Sequence, residues 1–193
     1  VTRAVSYTER GAEVYAGVEA AKHAPGVTWV DATGASPEDL ATVAEAFGIH
    51  ALSVEDVSRD VQPKVEEFSD HTLLVCKDAT LTRGDTTFSE EVLTRQVGIF
   101  IGDDWLVTAS PDPVEAVDAV WEAMTMGKSR LLQFGADFVA YRLFDRVVDD
   151  YYHLLEEMED TIEAIEDGIL AGPDPEVLGS LNDVRRDLLS IRK

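Results

Sequence analysis

Along the first 110 residues apolar positions alternate with polar ones and are broken every few residues by turn formers. RAVSYT and AEVYAGV flank a Glu-Arg-Gly turn, and VTWVDATG is β-branched around a Trp, which predicts three strands. A helix with signals at both ends follows. Ser36 is a good N-cap, Pro37 suits the first helical position, Glu38 and Asp39 suit the positive pole, and Gly48 ends it. Leu40, Val43, Ala44 and Phe47 form its buried stripe. VQPKVEEF has to be extended ahead of Pro63, and HTLLVCKDATLTRGDTTFSEEVLTRQVGIFIGDDWLVTAS divides into three strands at its Arg-Gly-Asp-Thr and Gly-Asp-Asp turns. The pattern predicts a sheet with antiparallel hairpins and helices over it.

From Pro113 the period changes to 3.6. PVEAVDAVWEAMTMG reads as a helix closed by Gly127, and a second helical pattern runs from about Leu131 to Leu170 with no breaker before Gly168 and the Gly172-Pro173 pair. Forty helical residues would extend about 60 Å, more than a small domain can cover. Phe134, Phe138, Tyr141, Phe144, Val148, Tyr152, Leu155, Met158, Ile162, Ile165 and Ile169 recur at threes and fours, so partner helices are expected along the length. A further helix opens on Asp174 as N-cap with Pro175 behind it. Its Val177, Leu181, Val184, Leu188 and Ile191 form one stripe, and it is expected to fold back antiparallel. The chain stops at SIRK with four basic residues among its last nine, which reads as a cut through a longer protein. The expected division is a sheet domain over 1–128 and a long-helix arm over 129–193.

Composition narrows the function classes. With 45% hydrophobic residues the chain can build a core without staples. Thirty-eight acidic against 16 basic residues give a formal charge of −22, which opposes phosphate neutralisation and so excludes nucleic acid as a partner, while favouring cations. Only five basic residues are Lys, and such a surface suits a very salty cytoplasm. The lone Cys76 lies in an apolar run and reads as a small buried hydrophobe, which leaves no disulfide framework and no thiolate cluster. No stretch approaches the ~20 apolar residues of a membrane span and VTRAVSYTERG lacks a signal-peptide core, so the chain reads as soluble and of intracellular type.

Catalytic signals are weak. Histidines 23, 50, 71 and 153 are scattered, and the chain has no His-Glu-x-x-His spacing, nucleophile elbow or phosphate-cradling loop, so no enzyme activity is expected. Two acidic features remain. On the long helix Asp145, Asp149, Glu156, Asp160, Glu163 and Asp167 fall within about a 60° arc, readable as a solvated face or as hard oxygen ligands for divalent cations. In GIHALSVEDV, residues 48–57, Glu55 and Asp56 are adjacent. Taken locally, Ile49, Leu52 and Val54 would face a core while the acids meet water, with first-turn carboxylates complementing the positive end of a helix.

In order, VTWVDATG, AEAFGIHALSVEDV, QPKVEEF, HTLLVCK, QVGIFIGDDWLVTAS and GADFVAYRLFDRVVDDYYHLLEEMED resemble the cytosolic part of the CorA family of divalent-cation transporters. The resemblance covers residues 28–193, and the first 27 residues match little. It implies an αβα domain with a mixed, partly antiparallel sheet, then long antiparallel helices, a stalk, two membrane segments and a pentamer. It also implies the function: a cytoplasmic, metal-sensing domain of a membrane transporter of Mg²⁺ and Co²⁺, without catalysis. Asp56 would be the main ligand and Glu55 an accessory one for Mg²⁺ held between neighbouring subunits, and Asp145 would belong to a second metal position. Lys64 fits the family pattern as a structural ion pair. The neighbour's stalk aspartate, the membrane helices and the Gly-Met-Asn pore sequence are absent from this chain, so a monomer or weak oligomer is expected of it alone. A zinc-transporting relative and a free-standing acidic interaction module are the competing readings.

Overall fold

The computed structural model describes residues 2–83, 90–126, 134–172 and 175–191. The Arg-Gly-Asp-Thr turn beyond Arg83, the helix stop at Gly127, the N-cap at Asp174 and the final Arg192-Lys193 lie outside these residues.

Contacts divide the chain into two units: residues 1–77 with 95–146, and residues 78–94 with 147–193. In the first unit the expected hairpin forms. β1 (Arg3–Thr8) and β2 (Gly11–Tyr15) pair antiparallel, and β3 (Val27–Thr33) pairs antiparallel with the other edge of β1. A short helix that the sequence pattern does not signal, α1 (Val18–Lys22), sits between β2 and β3. α2 (Pro37–Phe47) begins and ends where its signals place it: Ser36 Oγ accepts from the Asp39 N–H at 3.1 Å, and Gly48 closes the helix at φ +68°. α3 (Ala51–Val57) follows at once. β4 (Lys64–Glu67), β5 (Thr72–Arg83), β6 (Glu90–Ile101) and β7 (Trp105–Ser110) complete a sheet of order β2-β1-β3-β7-β6-β5-β4. β3 and β7 are parallel, whereas β4 with β5 and β6 with β7 are antiparallel, so the sheet is mixed.

Both faces of the sheet are covered. Ala4, Val30, Ala32, Leu73, Val75, Phe100, Val107 and Ala109 point to one face and share a core with Ala21 of α1, Leu40, Val43, Ala44 and Phe47 of α2, and Val57 of α3. Residues one step along each strand point the other way. There Trp29 meets Trp121 of α4 (Glu115–Met126) edge-on at 5.0 Å, and the Arg3 guanidinium lies 4.5 Å from the Trp121 ring while pairing with Asp31 and Asp118. The result is a helix–sheet–helix sandwich, as the resemblance implies.

α5 (Ala136–Ala171) starts after Gly135 at φ +96°, and the expected start near Leu131 lies outside the described residues. Its buried residues differ from the expected stripe. In the first unit they are Ala136, Val139, Ala140 and Leu143. In the second, Leu154, Met158 and Ile165 cluster with Val184 of α6 (Pro175–Ile191), Ala79 and Val92. Of the expected stripe only Met158 and Ile165 are buried, whereas Tyr141, Phe144, Val148, Tyr152, Leu155, Ile162 and Ile169 are exposed. The helix carries two apolar stripes, and the one with smaller residues in its first turns is the one covered. The second helix does fold back, with Val177 packed against Gly168.

Candidate functional site

The acidic pair sits on a helix two turns long, laid over the β4 side of the sheet. His50 caps α3, its Nδ1 accepting from the Leu52 N–H at 3.2 Å, and Ser58 closes it by donating through its N–H to the Val54 and Glu55 carbonyls. Helix periodicity sends Ser53 and Val57 inward, Val54 to the margin and Leu52 outward, where it is 64% exposed. The expectation that Leu52 faces the core therefore fails, because in a helix starting at Ala51 the inward positions are Ser53 and Val57, one turn apart, and Leu52 falls on the open side. Its companion fails too. Glu55 and Asp56 occupy the last turn, not the first, so their charges meet the negative pole of the helix. The pole disfavours both, and nearby positive charge offsets it.

The cations are supplied by the chain itself. Glu55 Oε1 pairs with Arg59 Nη1 at 2.6 Å, one helical turn on. Asp56 Oδ2 accepts from Lys64 Nζ at 2.8 Å, and the same ammonium donates to Glu66 Oε1 at 2.9 Å. Lys64 and Glu66 stand two apart on β4, hence on one face of it, opposite Val75 and Leu73 of the covered face. Asp56 and Glu66 thus converge on one positive charge while each remains about a third or more exposed. The hydrogen bonds to Asp56 and then Glu66 raise the pKa of Lys64 above the ordinary ammonium value. Close by in the sequence, Asp60 pairs with Lys77 at 2.7 Å.

Below the pair, β6 fixes the backbone. Gln96 Nε2 donates to the carbonyls of Asp56 at 2.8 Å and Arg59 at 2.6 Å, and its Oε1 accepts from the Val61 N–H at 2.9 Å. Two residues along, Gly98 leaves the space that Val57 fills, since a Cβ there would overlap Val57 Cγ1. Asp145 lies on α5, where Arg142 Nη1 reaches its Oδ2 at 3.1 Å and Tyr141 Oη its Oδ1 at 3.4 Å. The sequence marks Glu55, Asp56, Asp145 and Lys64. It does not mark Glu66, which strand alternation from Lys64 would have found, or Gln96 and Gly98, which carry no local signal.

A family model described as CorA-like Mg²⁺ transporter protein matches residues 25–193. The chain belongs to the CorA-like family. Among its relatives, the cobalt/magnesium transport protein CorA of Thermotoga maritima is 30% identical over 168 residues, 86% of this chain and 47% of the relative. The protein of the same description from Methanocaldococcus jannaschii is 29% identical over 168 residues, 86% of this chain and 50% of the relative. The CorA-like chain spans about half the length of the curated relatives it matches. In fold it is similar to the soluble domain of CorA from Methanocaldococcus jannaschii, with a TM-score of 0.78 at 24% identity over 98% of this chain and 72% of that one. No helix among the described residues is long and apolar enough to cross a membrane.

The donors around Asp56 in the CorA-like chain suit a hard divalent cation in kind. They are carboxylate oxygens, partly open to water, and an ammonium already stands between two of them. Among the described residues no three His, Cys, Asp or Glu side chains gather into a complete metal site.

Proposed function

We propose that this chain is the cytoplasmic metal-sensing domain of a membrane transporter of Mg²⁺ and Co²⁺, assembled as a pentamer, in which Asp56 holds a regulatory divalent cation at a subunit boundary. Glu55 assists it, and Asp145 serves a second position. The observation that carries the reading is the convergence of the Asp56 and Glu66 carboxylates on a single cation at the negative end of α3. Two carboxylates sharing one ammonium keep a net negative charge, so a divalent ion that joins them and a facing acidic surface favours the closed ring, and its loss lets like charges part the subunits. A partial shell that keeps waters binds weakly, as sensing an abundant ion requires. When bound, the metal supplies charge neutralisation and a bridge, and the chain's own part is to hold Asp56 in place through α3 and Gln96.

The test is protection of the full-length transporter from protease as Mg²⁺ is titrated. Asp56→Asn is expected to raise the Mg²⁺ midpoint while leaving the fold nearly unchanged, since an amide isostere at a partly exposed acid costs under ~1 kcal/mol. Glu55→Gln is expected to act in the same direction and less, and Asp167→Asn, far along α5, hardly at all. Equal midpoints for wild type and Asp56→Asn would reject Asp56 as a ligand. Equal shifts in all three variants would reduce the effect to loss of negative charge.

A further inference from the structure

We infer that Lys64 is a built-in competitor for the divalent cation at Asp56: its ammonium holds the carboxylate until the metal displaces it onto Glu66, and this exchange sets the concentration at which the domain responds. The inference rests on the reading of Asp56 as a regulatory ligand and adds what opposes the metal there.

Three features of the site support it. Lys64 Nζ lies 2.8 Å from Asp56 Oδ2, so it occupies one of the lone-pair positions that a metal would take. It is shared with Glu66 Oε1 at 2.9 Å, on its own strand and two residues away, so leaving Asp56 does not strand a bare charge. Glu66 is a parking position, from which the four-carbon stem can return as soon as the metal leaves. The backbone that carries Asp56, by contrast, is held, because Gln96 donates to its carbonyl and that of Arg59. The carboxylate stays and the ammonium moves. The other basic side chains nearby are differently engaged, with Arg59 on Glu55 and Lys77 on Asp60.

A competitor raises the metal concentration needed for half-occupancy by the strength of the contact it gives up. For a partly exposed ion pair that factor is about two- to five-fold. Lys64→Gln is therefore expected to lower the Mg²⁺ midpoint for protease protection of the full-length transporter by about two- to five-fold at fixed ionic strength. Lys77→Gln removes the same charge from Asp60 instead, and is expected to move the midpoint by less than about 1.5-fold.

A second measurement uses the wild-type transporter and needs no variant to fold. Brief exposure to an amine-acylating reagent, followed by digestion and mass spectrometry, reads how free each lysine is. Acylation of Lys64 is expected to rise with Mg²⁺ over the range in which protection appears, with Lys77 level in the same digest. In Asp56→Asn, Lys64 is expected to be more reactive from the start and indifferent to Mg²⁺. Lys64 acylation that stays flat while Asp56→Asn still raises the protection midpoint would overturn the exchange and leave Asp56 as a ligand. Equal shifts from Lys64→Gln and Lys77→Gln would also overturn it, as a general charge effect. An unchanged midpoint in Asp56→Asn would remove the ligand reading, and the exchange with it.

Discussion

Gln96 engages both ends of its amide with the backbone leaving α3, donating to the Asp56 and Arg59 carbonyls and accepting from the Val61 N–H. Its isostere Glu has no N–H to donate and would face two carbonyl oxygens with a carboxylate. Gln96→Glu is expected to destabilise the chain by ~1–3 kcal/mol, read as a lower urea midpoint at unchanged slope. At this scale the sequence was legible where chemistry is local. Glu55 and Asp56 stand out as adjacent acids, and Ser36 and Gly48 as helix ends, because each acts on residues within a turn of itself. Gln96 acts on residues about 35 to 40 positions away. No pattern around QVGIFIG announces that, since the partner carbonyls are brought to it only by the stacking of α3 on β6.

Among the elements, α3 depends on a missing side chain. Val57 is fully buried in the space above Gly98, and the strand there is extended, so the glycine serves closeness and not an unusual backbone angle. Gly98→Ala is expected to cost ~1–3 kcal/mol by forcing the helix away from the strand. Combined with Val57→Ala it is expected to cost less than the sum of the two single changes, a coupling that a double-mutant cycle by denaturant titration measures. α5 teaches a different lesson. Its helicity is plain from the period, yet the larger apolar residues that recur at threes and fours are mostly exposed, while Ala136, Val139, Ala140 and Leu143 are covered. Periodicity reports that a helix has an apolar stripe. With two stripes side by side, it does not report which one meets the core, because that is decided by the shape of the neighbour.

For the whole molecule the strands could be read, but not their order. The parallel pairing of β3 with β7 joins residues 28–33 to residues 105–110, and no spacing in either segment specifies it; the αβα arrangement came with the family resemblance. Charge belongs to this scale as well. With −22 on 193 residues, self-repulsion opposes compactness, so the melting temperature is expected to rise as monovalent salt increases from low to molar concentration, and a flat or falling series would show that the charges are already balanced locally. The seating of Val57 on Gly98 has a consequence for genetics. If Asp56 governs closure, a selection for cells that take up Mg²⁺ without restraint would recover substitutions at position 98 alongside those at position 56. By phenotype alone such alleles would pass for lost ligands, although the altered residue bears no charge and lies on a strand some forty positions away. Only a stability measurement on each allele would separate a damaged seat from a damaged sensor.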